Sequence, residues 1–191
     1  MSSLFPPELP AGFRYEEAFL SPADEQTLLA AIADVSFGTF EMRGVAARRR
    51  VAFFGRAYDA TRPSAPMPGF LLPLRSAAAR WAGVEAEALV MALINEYPPG
   101  APIGWHRDAP QYDIVIGLSL QSPCRMRLRP YVAPAAAAGG PRRATTHELT
   151  LEPRSIYLLA GAARAAYEHS IPAVDALRYS ITFRTLRRPA G

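Results

Sequence analysis

A histidine and an aspartate two residues apart, His106 and Asp108, are followed by His169 and then by the run Arg178-Tyr-Ser-Ile-Thr-Phe-Arg184. Two imidazoles and one carboxylate suit Fe(II) and leave coordination positions open, which oxidative chemistry requires. On an extended segment, residues two apart point to the same side, so His106 and Asp108 converge while Arg107 turns away. The chain has only three histidines, at 106, 147 and 169, so a two-histidine site has few ways to form. His169 stands in Tyr-Glu-His-Ser-Ile-Pro, where it can project from a strand end. His147, in the strand-like stretch Thr145 to Thr150, is the competing second imidazole.

The arginine run alternates. Arg178, Ser180, Thr182 and Arg184 share one face, and Tyr179, Ile181 and Phe183 share the other. A polar face turned into a protein is costly unless it is paired or binds something. A dicarboxylate would satisfy it, because the guanidinium fork binds carboxylate through two parallel hydrogen bonds. The alternative is a solvated edge strand with surface arginines. Asn95 and Tyr97 also share a face and can donate hydrogen bonds to a bound acid.

These residues must be positioned by a folded domain. At 191 residues, 50% apolar and 20% charged, the chain suits one globular domain covering residues 1–191 rather than a disordered one. Its single cysteine, Cys124, excludes an internal disulfide and a CxxC zinc site. Met1 to Phe13 has neither a basic leader nor a long apolar run, so the expectation is a cytoplasmic protein with no membrane partner and no obligate protein partner. Net charge is +4, and all 21 basic residues are arginine. Coding bias in a chain rich in Ala, Pro and Gly explains that, although arginine forks also suit phosphates and bases.

Ser21-Pro22-Ala-Asp24 has the form of a helix start, and Leu28, Leu29, Ile32 and Val35 recur at helical spacing. A second helix is predicted over Leu71 to Trp81, with Pro73 near its first turn and Gly83 as its stop. Strands follow. Leu89, Met91, Leu93, Asn95 and Tyr97 are predicted on one face, ended by Pro98-Pro99-Gly100. Further strands are expected at Ile114 to Leu120, Cys124 to Leu128, Leu149 to Leu151, Ser155 to Ala160 and Tyr179 to Thr185. Ala133 to Ala144 is low-complexity and is expected to be a mobile loop. Helices before many short strands indicate an α+β domain of sandwich or jelly-roll type.

The segment Asn95-Glu-Tyr97-Pro-Pro-Gly-Ala-Pro-Ile-Gly-Trp105-His106-Arg-Asp108, the Ile114-to-Leu120 strand, His169 and Arg178-to-Arg184 together resemble the AlkB family of Fe(II)/2-oxoglutarate-dependent dioxygenases. The likeness runs in order from about Phe37 to Leu186. It implies a double-stranded β-helix (jelly roll) with N-terminal helices packed on one sheet. It implies oxidative dealkylation of N-alkylated bases in single-stranded DNA or RNA, a demethylase or repair activity that releases an aldehyde, succinate and CO2. Carried over by residue, His106, Asp108 and His169 would hold Fe(II), and Asn95, Tyr97, Arg178 and Arg184 would hold 2-oxoglutarate.

Residues 37–58 match the place of the family's nucleotide-recognition lid. There Arg43, Arg48, Arg49 and Arg50 stand before Phe53, Phe54 and Tyr58, and a flipped base needs such charge and rings. Trp105 joins Arg48, Arg49, Arg50, Phe53, Phe54 and Tyr58 in the expected substrate-binding set. The plain alternative is a basic hairpin over an ordinary core. In several DNA-repair members an acid follows the metal aspartate by one or two positions; here Ala109 and Pro110 stand there, and the nearest acid is Asp113. The base preference therefore stays open. So do tRNA or a protein side chain as substrate, and a catalytically idle nucleic-acid-binding module on the same fold.

Overall fold

The computed structural model describes residues 9–42, 45–56, 64–133 and 145–187, with the side chains of 40–46 left undescribed. In chain order its elements are β1 (Phe13–Glu16), α1 (Pro22–Ala33), β2 (Gly38–Met42), β3 (Val45–Gly55) and α2 (Leu71–Ala82). There follow β4 (Leu89–Tyr97), β5 (Ile103–His106), β6 (Tyr112–Leu120), β7 (Cys124–Pro130) and β8 (His147–Leu151). The last are β9 (Ile156–Leu159), α3 (Gly161–Ala165), β10 (Tyr167–Ile171) and β11 (Arg178–Leu186).

Among the described residues the strands form two antiparallel sheets. The larger has the order β1-β9-β6-β11-β4-β3-β2 and the smaller β5-β10-β7-β8. This is the double-stranded β-helix expected, with helices on one sheet. The polar face of β11 is turned inward, between the sheets, at the centre of the larger one.

The two helices form where the sequence predicts them. The Ser21 hydroxyl accepts from the Asp24 amide at 3.1 Å, while the Asp24 carboxylate accepts from the Ser21 amide at 3.3 Å. These bonds satisfy donors that a helix start otherwise leaves orphaned. Buried Glu25 then ties α1 to the strand ends, accepting from the Gln121 amide at 2.8 Å and from Arg154 at 3.2 Å. Pro73 lies in the first turn of α2, and Gly83 closes that helix in the left-handed region at φ 75°. Leu28, Ile32, Leu71, Leu74 and Ala78 pack on Ala92, Ile94, Ile116, Leu118, Ile181 and Phe183 of the larger sheet. The inner faces of the two sheets meet in a second core that includes Tyr97, Val115, Tyr157, Met126, Leu128 and Ile171.

Two expectations differ. The strands do not simply follow the helices, because β1, β2 and β3 interleave with them. The basic hairpin weighed for residues 37–58 forms from β2 and β3, and β3 pairs along β4 from Arg50 opposite Glu96 to Gly55 opposite Met91. Leu89 leaves the face shared by Met91, Leu93, Asn95 and Tyr97: the register with β11 slips between Arg184 and Thr185, and Leu89 packs with the helix-side core. Of the expected loop at 133–144, residues 134–144 lie outside the described residues. Among the described residues no helix is long and apolar enough to cross a membrane.

Candidate metal and cosubstrate site

The register of the smaller sheet brings the two histidines together. His169 on β10 stands directly opposite His106 on β5, and the ring centroids are 4.2 Å apart. Asp108 follows β5 in a loop fixed by Arg164, whose Nη2 donates to the carbonyls of Asp108 at 3.2 Å, Ala109 at 2.7 Å and Tyr112 at 2.9 Å. His106, Asp108 and His169 offer ligand atoms that all lie within 4.8 Å of one another. His147 lies elsewhere: β7 separates β8 from β10, and the His147 ring neighbours Tyr167 at 6.0 Å.

Each ligand is prepared by a neighbour. The Gly104 carbonyl lies 2.9 Å from His106 Nδ1, and a carbonyl can only accept, so Nδ1 carries the proton and Nε2 keeps its lone pair. Burial, together with the nearby His106 and against the pull of Asp108, pushes His169 down to about 3. Burial likewise lowers His106. Both imidazoles are therefore neutral at pH 7, the form that binds metal. Burial works against ionisation of Asp108, but Arg184 and the two histidines hold its carboxyl well below the usual carboxylate range. Arg184 grips one oxygen only: Nε lies 3.0 Å and Nη2 2.7 Å from Oδ1. Oδ2 is buried, makes no hydrogen bond among the described residues and faces His169 Nε2 at 3.8 Å. A buried carboxylate oxygen left in this state is costly unless a cation completes it. Two neutral imidazoles and this oxygen fit a divalent metal such as Fe(II).

The end of the cavity that could hold a cosubstrate is built by β4, β6 and β11. Arg178 is 1% exposed and lies over the Tyr97 ring at 4.9 Å. Its Nε donates to the Ser119 hydroxyl at 3.0 Å, whereas its Nη1 is buried without a hydrogen bond among the described residues. A fixed guanidinium with a spare buried donor suits the far carboxylate of a dicarboxylic acid. Arg184 is differently used, with its remaining Nη1 donating to Thr182 at 3.0 Å. The Asn95 amide accepts from Arg49 and donates to Ser180, each at 3.3 Å. Asn95, Tyr97, Arg178 and Arg184 all line one cavity with the three metal-ligand candidates.

The expected substrate-binding set divides. Arg49 and Phe53, four residues apart on β3, line that cavity. Arg50 lies on the opposite face, paired with Glu96 at 2.7 and 2.9 Å. Arg48 reaches the Gly100 carbonyl at 3.2 Å. Phe54 packs against the helix-side core. Trp105 lies beside Arg127 and Arg129, at 5.3 and 4.1 Å, and does not line the cavity. The physical reason is the strand period of two, which sends neighbours in sequence to opposite faces. Tyr58 and Arg43 lie outside the described residues. Ser119 and Arg164 carry no sequence signal for their roles; each is found only through a contact more than fifty residues away in the chain.

Comparison with known proteins agrees with this geometry. The model of the 2OG-Fe(II) oxygenase superfamily matches residues 12–184. The chain is 29% identical over 192 residues to the Arabidopsis thaliana "Alkylated DNA repair protein ALKBH8 homolog", covering 89% of this chain and 54% of the relative, so it spans about half that protein's length. The solved structure of OsALKBH1 superposes with a TM-score of 0.67 at 14% identity, over 93% of this chain and 99% of that one. A Pseudomonas putida prolyl-4-hydroxylase gives 0.64 at 12% identity, over 92% and 93% of the two chains. A triad able to hold iron, set in a jelly roll that the family model covers over residues 12–184, makes this chain a member of the 2OG-Fe(II) oxygenase superfamily, a dioxygenase that uses Fe(II) and 2-oxoglutarate.

Proposed function

We propose that the chain oxidatively dealkylates N-alkylated bases in nucleic acid, with His106, Asp108 and His169 holding Fe(II) and Arg178 holding the far carboxylate of 2-oxoglutarate. The observation that carries the reading is the shared cavity: the triad and the Arg178 guanidinium line it from inside, and Arg49 and Phe53 of β3 wall it. The Arabidopsis relative, an alkylated DNA repair protein, supports a nucleic-acid substrate.

Iron held by His106, Asp108 and His169, with 2-oxoglutarate beside it, would supply the oxidation of the N-methyl carbon by O2, one oxygen atom entering that carbon and the other the succinate that remains once CO2 is lost. The resulting N-hydroxymethyl group loses formaldehyde as the ring nitrogen recovers its proton, which restores the base. The chain's own residues orient this chemistry. Arg184 fixes Asp108 so that Oδ2 faces His169. Arg164 holds the loop that carries Asp108. Phe53 offers a ring on which a flipped base can stack. Residues 37–58, whose β3 brings Arg49 and Phe53 to the cavity, serve as the base-recognition segment of a single domain.

The test is mass spectrometry of methylated single-stranded DNA and RNA oligonucleotides incubated with the protein, Fe(II), 2-oxoglutarate and ascorbate. Loss of 14 mass units per methyl, about the mass of one CH2, supports the reading. Conversion of 2-oxoglutarate to succinate with no oligonucleotide altered would overturn the nucleic-acid substrate and leave the cosubstrate chemistry standing.

A further inference from the structure

One glycine in the cavity floor is matched to one tyrosine. Tyr157 on β9 stands opposite Gly117 on β6, and Gly117 stands opposite Thr182 on β11. The end of the Tyr157 ring lies directly over Gly117, where an added Cβ would clash with Cζ, Cε1 and the hydroxyl oxygen. Any larger residue at 117 would displace the ring, so the glycine admits the phenol to the space between the sheets. Tyr157 is 6% exposed and lines the cavity with the triad and Arg178. A tyrosine hydroxyl so enclosed normally finds a partner; this one makes no hydrogen bond among the described residues. Burial pushes it up, with Asp108 and Tyr97 adding to the shift, so it keeps its proton at pH 7 and is a donor.

The sheet register says where along the cavity this hydroxyl lies. On β11 the inward side chains step by two from Arg178 through Ser180 and Thr182 to Arg184. Arg184 grips Asp108 at the metal end, and Arg178 lies at the other. Thr182 is the step next to Arg184, and Gly117 and Tyr157 share its row. An acid stretched from Arg178 to the triad therefore crosses the Tyr157 row just before it reaches the metal ligands. Asn95 and Tyr97 stand opposite Ser180 and Arg178, so they border the far half. Thr182, the other hydroxyl of the near row, is already used: it accepts from Arg184 at 3.0 Å and donates to the Leu93 carbonyl at 3.4 Å. We infer, resting on Arg178 as the anchor, that Tyr157 donates a hydrogen bond to the 2-oxo acid end of bound 2-oxoglutarate. Arg178 then holds the far carboxylate, Tyr157 orients the near end, and the cosubstrate is fixed at two points before oxygen is used.

Tyr157→Phe keeps the ring over Gly117 and removes only the hydroxyl. Binding is measured by calorimetry on the Fe(II)-loaded protein without oxygen. The probes are 2-oxoglutarate and, by competition against it, 2-oxobutyrate, which keeps the 2-oxo acid and lacks the far carboxylate. Tyr157→Phe should weaken both by about tenfold or more, the scale of one hydrogen bond to a charged group. Arg178→Met should weaken 2-oxoglutarate and leave 2-oxobutyrate nearly unchanged. The metal-free protein gives the readout that a structural role would move: a hydroxyl without a partner does not support the fold, so the thermal midpoint of Tyr157→Phe should not fall. Unchanged affinity for 2-oxoglutarate in Tyr157→Phe overturns the inference. So does a loss confined to 2-oxoglutarate with 2-oxobutyrate untouched, or a fall in the metal-free midpoint. Native affinity for 2-oxoglutarate in Arg178→Met counts against the anchor reading instead, while the 2-oxobutyrate comparison still decides the role of Tyr157.

Discussion

Arg178→Met separates a cosubstrate anchor from a structural arginine, because the two roles predict opposite effects on the metal-free protein. Arg178 is 1% exposed and has one nitrogen, Nη1, without a hydrogen bond among the described residues. An unsatisfied buried polar group costs about 1–3 kcal/mol, more when charged. Methionine fills much of the same volume with no donor to satisfy, so Arg178→Met should leave the thermal midpoint of the metal-free protein unchanged or raise it. The partly compensating loss is the bond to the Ser119 hydroxyl at 3.0 Å, worth about 1 kcal/mol. With 2-oxoglutarate the sign reverses. A carboxylate deprived of its buried guanidinium loses about 2–5 kcal/mol, or about 30-fold to several thousandfold in affinity. The assay is the shift of thermal midpoint on titration with 2-oxoglutarate, alongside its KM in uncoupled turnover. Arg187→Ala is the control, since that exposed residue lies past the strand. Equal 2-oxoglutarate requirements in the two variants would refute the anchor. A large fall in the stability of metal-free Arg178→Met would show the guanidinium to be structural.

Three further outcomes follow from the same geometry. His169→Ala should lose Fe(II) binding by calorimetry while His147→Ala keeps it, because β7 stands between β8 and β10; metal retained in His169→Ala would refute the triad. Arg164→Met should weaken Fe(II) binding by about 10–100-fold, the usual cost of losing a group that orients a ligand, since it frees the Asp108, Ala109 and Tyr112 carbonyls; unchanged affinity would show that the loop holds itself. Burial puts His169 at about 3 and lowers His106, so Fe(II) binding at pH 6 should release fewer than about one proton, against about 0.8 from each ordinary histidine. The sign for stability follows: the unfolded histidines take up protons first, so the metal-free fold should weaken as pH falls below about 6.5, by up to about 1.4 kcal/mol per pH unit for each histidine.

What could be read from the sequence follows strand periodicity. β7 and β11 alternate visibly while β4 and β6 are near-continuous apolar runs; the strand period of two alone puts Asn95 with Tyr97 and Arg178 with Arg184 on shared faces. Both large helices announce themselves through local signals, the Ser21 cap and the Gly83 stop. β3 does not, because one of its inward residues, Arg49, is a cation within a run of three arginines. Arg48, Arg49 and Arg50 look like one phosphate-binding cluster in sequence, and pairing with β4 divides them between two faces. In the basic-hairpin reading of this segment the strand period alone divides them. Trp105 is a similar case: next to His106 in sequence, it lies against Arg127 and Arg129 instead of in the cavity.

The division of labour between the two arginines of β11 lay beyond any local reading. Six residues apart on one face, they are equivalent in pattern, and either could hold a carboxylate. The structure distinguishes them by what each meets across the sheets. Arg184 meets the Asp108 carboxylate, 76 residues away in the chain, and so meets the metal site's own acid. Arg178 meets the Ser119 hydroxyl, the Tyr97 ring and the Cys124 thiol, and no carboxylate pairs with it among the described residues. An arginine that already has its anion can orient a ligand but has little left to bind a second acid. An arginine buried without one carries a desolvation cost that an arriving anion would offset, and this is the thermodynamic ground for proposing Arg178 rather than Arg184 as the cosubstrate anchor.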